Sequence, residues 1–172
     1  MLIDGRSGSG KTELARAVIA GWRGEPEPQL LRLDDVYPGW DGLDAASAEV
    51  PAIVRMHRWR AWDWTDDRPG EWHELDPARP LVIEGVGALT KRSKPLADFS
   101  IWVSLDDATR KARALARDGE SFAPHWDRWA RQELALAARE NPEQLADLVI
   151  DGRSAELAWR VAEAALFGAT AD

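Results

Sequence analysis

The segment that most constrains this chain stands at its start, where Met1-Leu2-Ile3-Asp4 runs into Gly5-Arg6-Ser7-Gly8-Ser9-Gly10-Lys11-Thr12. It matches the phosphate-binding pattern G-x-x-x-x-G-K-S/T at every fixed position, after a short apolar strand and before a helix expected from Glu13 to Trp22. Each residue type has a physical task. Gly5, Gly8 and Gly10 let the backbone curl around an anion, so that successive N–H groups, those of Ser7 and Ser9 among them, turn inward. The start of the following helix adds the positive end of its dipole. Lys11 is then placed to reach the β- and γ-phosphates, and the Thr12 hydroxyl to ligate Mg²⁺. The segment predicts binding of a nucleoside triphosphate rather than a plain helix-capping turn.

The remainder alternates strand and helix, the pattern of a parallel sheet with helices on both faces. Strands are expected at Gln29–Leu33, Leu81–Glu84, Phe99–Leu105 and Asp147–Gly152. Helices are expected at Asp44–Arg58, with Asp44 as N-cap and a kink at Pro51, and from Asp106 or Asp107 to Asp118. Two more follow, from His125 to Arg139 or Glu140 and from Ser154 to Phe167. Trp59–Trp64 and Glu71–Leu75, around a Thr65–Gly70 turn, form a small hairpin insertion over about 59–75. Residues 107–124 read as a helical lid with Gly119 as hinge, Gly119–Pro124 breaking the helix. The expectation is one domain spanning 1–172, a three-layer α/β/α fold of the P-loop NTPase and kinase type with about five parallel strands.

Composition excludes several classes. A net charge of −8 leaves no basic surplus for a nucleic-acid partner. No apolar run reaches membrane-spanning length, no signal peptide precedes Leu2, and there is no cysteine, so the expected location is the cytoplasm. No oligomeric state is implied.

Phosphoryl transfer needs a metal, a base for the acceptor and cations for the charge on the moving group. Asp34-Asp35 follows a strand end, where open α/β sheets place their ligand crevice. Either acid could take the acceptor proton, and Asp34 could also help hold Mg²⁺. Glu84 ends a buried apolar strand before Gly85, the position of a metal-orienting carboxylate. Arg110, Arg113 and Arg117, spaced i, i+3, i+7, share one helical face from which guanidiniums could close over the transferring group. In the insertion, Arg60, Trp62 and Asp63 could contact the acceptor, Trp62 by stacking and the other two through its hydroxyls. Tyr37 and His125 complete the candidates for that half of the site.

The order of Asp34-Asp35-Val36-Tyr37, Trp62-Asp63-Trp64, Ile83-Glu84-Gly85 and Arg110-x-x-Arg113-x-x-x-Arg117-Asp118 behind the phosphate loop resembles the uridine kinase-like P-loop kinases. That family includes nicotinamide riboside kinase, bacterial pantothenate kinase and phosphoribulokinase. The likeness spans most of the chain and is greatest to small, actinobacterial-type members. It implies Asp34 as base, Glu84 near the metal and the three arginines in the lid. The insertion departs from true uridine kinases: it is short, and tryptophans replace the usual acceptor-binding pattern. The expected activity is an ATP- and Mg²⁺-dependent transfer of the γ-phosphoryl group to a hydroxyl of a small molecule of nucleoside type. The rival readings are a nucleoside monophosphate kinase and a non-catalytic nucleotide-binding regulatory module.

Overall fold

Side chains alternate across the first strand, and that alternation builds the molecule's layers. Leu2 turns to one face and Ile3 to the other, and Val82 and Ile83 divide in the same way four strands of sequence later. The computed structural model describes residues 1–167, so the last five residues of the expected domain lie outside it. Its sheet has five parallel strands in the order β2 (Gln29–Arg32), β5 (Leu81–Glu84), β1 (Leu2–Asp4), β6 (Ser100–Ser104) and β7 (Leu148–Asp151).

Helices α1 (Lys11–Ala20) and α6 (Ala155–Phe167) cover the face of Ile3, Val82, Ile101, Val103 and Ile150, meeting it through Leu14, Val18 and Ala162. On the other face, Leu2, Leu31 and Ile83 pack against α2 (Leu43–Met56) and α4 (Trp126–Glu140), through Val50, Ile53, Trp129 and Leu136. The three-layer α/β/α expectation holds. A short helix α5 (Pro142–Leu145) connects α4 to β7.

Two local expectations are corrected. Helix α2 begins at Leu43 after an N-cap at Gly42, so Asp44 lies in the first turn, where it meets Arg139 at 2.8 Å. Helix α2 also runs through Pro51, because its buried face of Ala46, Val50 and Ile53 outweighs one lost backbone bond. The expected break at Gly119 is present: α3 (Asp107–Phe122) is interrupted there by non-helical backbone (φ 54°, ψ −132°), and helical turns resume as far as the buried Phe122. Asp106, not Asp107, caps α3, accepting from the Thr109 N–H at 2.9 Å. The insertion is a two-stranded antiparallel hairpin, β3 (Arg58–Asp63) and β4 (Arg68–Glu74), with a register shift between Arg60 and Trp62. Among the described residues no helix is long and apolar enough to cross a membrane.

Candidate active site

The turn from β1 to α1 carries the glycines in backbone conformations that side chains disfavour. Gly8 has φ 78° and Gly10 φ 104°, and a Cβ on Gly8 would meet the Arg110 carbonyl oxygen at 2.1 Å. The loop therefore packs tightly against α3. Lys11 is buried in the cradle, with Nζ 3.5 Å from the Arg6 carbonyl oxygen. A cavity of about 530 Å³ opens over Ser7, Gly8, Gly10, Lys11 and Thr12, bounded on the far side by Arg113, Arg117, Gly152 and Arg153.

Thr12 Oγ1 donates to Glu84 Oε1 at 3.0 Å. Arg32 is the register partner of Glu84 on the neighbouring strand. Its Nε lies 3.7 Å from Glu84 Oε1, and its Nη2 donates to Asp34 Oδ2 at 3.3 Å. Glu84 is 1% exposed, and burial pushes its carboxyl above the usual range, with Lys11 pulling the other way. Thr12, Glu84 and Asp34 are all oxygen donors, the chemistry a hard cation such as Mg²⁺ selects. Among the described residues no group of three or more histidine, aspartate and glutamate side chains forms a metal cage. The set suits an ion that arrives with phosphate oxygens and keeps part of its water shell.

Asp34 lines the phosphate-loop cavity and also a second one of about 600 Å³. The second cavity runs from Thr12 and Arg16 past Asp34 to a wall of Tyr37, Trp40, Trp64, Phe122 and Trp129. Trp40 stacks on His125 at 4.2 Å and on Phe122 at 5.5 Å, and meets Trp64 edge-on at 5.1 Å. Trp64 Nε1 donates to the Asp34 carbonyl at 2.9 Å, fastening the hairpin tip to the loop after β2. Tyr37 is buried, its hydroxyl donating to Val86 O at 2.8 Å. Asp35 lines neither cavity; burial raises its carboxyl, opposed by Arg32.

Several expected contacts are placed elsewhere. Arg60 donates to Gly70 O at 3.0 Å within the hairpin, and the Asp63 carboxylate caps the hairpin turn by accepting from Thr65 N and Asp66 N. Trp62 lines neither cavity, and it is Trp64, beyond the strand, that reaches the wall. His125 stands behind Trp40 rather than lining the cavity.

The three arginines of α3 also part company. Arg110 is 2% exposed and donates to Ser7 O at 2.9 Å and to Asp107 at 2.7 Å, so it faces the back of the loop instead of a transferring group. Arg113 donates to Gly152 O at 2.7 Å and Arg153 O at 2.9 Å, at the rim of the phosphate-loop cavity. Arg117 pairs with its neighbour Asp118 and lines both cavities. One face of a helix spans enough length for its residues to reach three different places.

Two buried acids escaped the sequence reading. Asp4 accepts from the N–H groups of Gly5, Gly87 and Leu89 at 2.6, 3.1 and 2.8 Å, tying the phosphate loop to the loop after Glu84. Burial pushes its carboxyl up to about 7 against the pull of those bonds and of Lys11. The signal was present: like Glu84, Asp4 is an acid between a buried strand and a glycine. Glu133 sits on the buried stripe of α4 with Trp126, Trp129 and Leu136, where a charge is out of place unless paired.

The strand order, the glycine loop between β1 and α1, and a carboxylate shared by two cavities define a P-loop kinase fold with room for a second small molecule. No protein-family model matches the chain. The uridine kinase of Streptococcus pneumoniae is 24% identical over 176 residues, covering 86% of this chain and 82% of the relative. A possible uridine kinase from Bacillus stearothermophilus superposes with a TM-score of 0.59 at 20% identity, over 87% of this chain and 86% of its own. The shikimate kinase of Acinetobacter baumannii, 12% identical, reaches a TM-score of 0.59 over 99% of this chain and 94% of its own. The chain is thus similar in sequence to a curated uridine kinase over most of its length, and it shares its fold with solved P-loop kinases.

Proposed function

We propose that the chain transfers the γ-phosphoryl group of ATP to a hydroxyl of a planar small molecule of nucleoside type. The observation that carries this reading is Asp34, on the rim common to both cavities. ATP would lie with its triphosphate along Gly5–Thr12, held by the loop amides and Lys11. The acceptor would lie between Trp40, Trp64 and Trp129, whose faces suit a flat ring. Asp34 takes the proton of the acceptor hydroxyl; that oxygen bonds to the γ-phosphorus as the bond to the β–γ bridging oxygen breaks, and ADP leaves. Mg²⁺, held by Thr12 and Glu84 with phosphate oxygens, would supply charge neutralisation on the triphosphate. Arg117, between the cavities, is the arginine best placed to follow the moving group.

A thermal-shift screen of nucleosides, vitamins and sugars with a non-hydrolysable ATP analogue and Mg²⁺ tests the reading, because native-state ligands raise the melting point. Hits are then assayed for phosphorylated product. Analogue binding without product from any acceptor would favour a regulatory nucleotide-binding module instead.

A second reading has its own observation. Arg16, Arg32 and Arg117 line the acceptor cavity, and among the described residues Arg16 makes no ion pair. Arginines there suit an acceptor that is itself an anion, as in a nucleoside monophosphate kinase. Assaying nucleosides beside their monophosphates separates the two.

A further inference from the structure

Ser7 is held by all three of its polar atoms, each by a different residue of the α3–α4 corner. Glu133 Oε1 accepts from the Ser7 N–H at 2.7 Å, Arg110 Nη1 donates to the Ser7 carbonyl at 2.9 Å, and Trp129 Nε1 donates to Ser7 Oγ at 3.0 Å. Around this grip runs a closed ring of alternating charge. Arg6 pairs with Asp107 at 2.7 Å and with Glu133 at 3.2 Å, while Arg110 pairs with Asp107 at 2.7 Å and with Glu133 at 3.5 Å. Two loop-facing cations meet two acids, and neither the Glu133 nor the Arg110 side chain is appreciably exposed.

We propose that Glu133 is a positioning residue for the phosphate loop: with Arg110 and Trp129 it fixes Ser7, and so holds the loop in its anion-ready shape before a nucleotide arrives. This rests on the reading of Gly5–Thr12 as the donor's phosphate site. A loop whose amides must all converge on one anion loses conformational entropy when it orders. Anchoring its apex from behind removes part of that loss in advance. The side-chain chemistry fits the task. The remaining carboxylate oxygen meets two guanidiniums, of Arg6 and Arg110, and a charge-assisted acceptor makes the stronger bond to a backbone N–H. Gly8 completes the seat, since any side chain there would collide with the Arg110 carbonyl. The ring also explains why Arg110 is buried: its guanidinium is occupied in shaping the loop.

The test is calorimetric titration of a Mg²⁺-loaded non-hydrolysable ATP analogue, and of Mg²⁺ tripolyphosphate, into wild type, Glu133→Gln and Trp129→Phe. The first variant keeps the shape and removes the charge; the second keeps an aromatic ring and removes one donor. Glu133→Gln is expected to bind both ligands at least tenfold more weakly, by a similar factor for each, because the loss lies at the phosphates. Trp129→Phe should lose about threefold on both, releasing one grip of three. Hydrogen exchange at the Ser7 amide should be at least tenfold faster in unliganded Glu133→Gln, beyond any change at core amides. Binding by folded Glu133→Gln within twofold of wild type for both ligands overturns the proposal. Should that variant not fold, the same criterion applied to Trp129→Phe decides it. If neither ligand binds wild type, the donor-site reading itself falls, and this inference with it.

Discussion

Thr12 Oγ1 donates to Glu84 Oε1 at 3.0 Å, joining the last residue of the phosphate loop to the end of the neighbouring strand. In the proposed reaction these two residues would hold Mg²⁺, which would neutralise charge on the triphosphate. Glu84→Gln removes the charge and keeps the shape. Turnover at saturating ATP should fall about 100-fold, with more Mg²⁺ needed for half-maximal rate, while metal-free binding of an ATP analogue stays within about threefold. Unchanged Mg²⁺ dependence would remove Glu84 from the metal site.

Arg110 and Arg117 share a helix face yet call for opposite outcomes. Arg110→Ala leaves Glu133 buried with a lost partner, so denaturant unfolding should show a loss of about 3 kcal/mol or more. Arg117 is half-exposed and, among the described residues, pairs only with Asp118. Arg117→Ala should therefore change stability by less than about 0.5 kcal/mol while kcat drops about 100-fold. A kcat near wild type would mean that Arg117 does not meet the transferring group.

This contrast marks where sequence stops being informative. The phosphate loop, the strand-end acids and the alternating elements are local patterns, since a glycine in a left-handed turn or an acid ending an apolar run carries its reason within a few residues. The sheet follows from the same patterns, as Leu2 and Ile3 show by dividing between its faces. What each arginine of α3 meets is set by Ser7, Gly152 and Asp118, of which two lie tens of residues away in sequence. The hairpin itself was legible, but which of its tryptophans reaches the cavity was not: Trp62 lies within β3, and Trp64, just past its end, joins the wall. Trp40 and Trp129 became a cavity wall only through the packing of α4 over the loop after β2.

The wall itself is testable. Trp40 touches His125, Phe122 and Trp64 and faces the cavity. Trp40→Ala should raise the KM of the acceptor about tenfold and leave the KM of ATP within about twofold, because large buried aromatics dominate such contacts. Equal increases in both would place Trp40 outside the acceptor site.

Asp4 predicts a pH dependence of stability. Its carboxyl is raised from 3.8 to about 7 in the folded protein, chiefly by burial, so the native state binds more protons than the unfolded chain between those values. Stability from this group is therefore lost as pH rises from about 4 to about 7. Glu84 and Asp35, also raised by burial, act in the same direction. Denaturant unfolding of wild type and Asp4→Asn across this range isolates the Asp4 share. Wild type should lose stability relative to the variant as pH rises; a difference independent of pH would show that Asp4 does not titrate there.

Asp34 carries the central claim, and its neutral isostere tests it most directly. With the acceptor found by thermal shift, phosphoryl transfer from ATP is measured for wild type and Asp34→Asn, alongside binding of the non-hydrolysable analogue. The account predicts analogue affinity within about threefold of wild type and turnover reduced at least about 100-fold. Near-normal turnover in Asp34→Asn would contradict it.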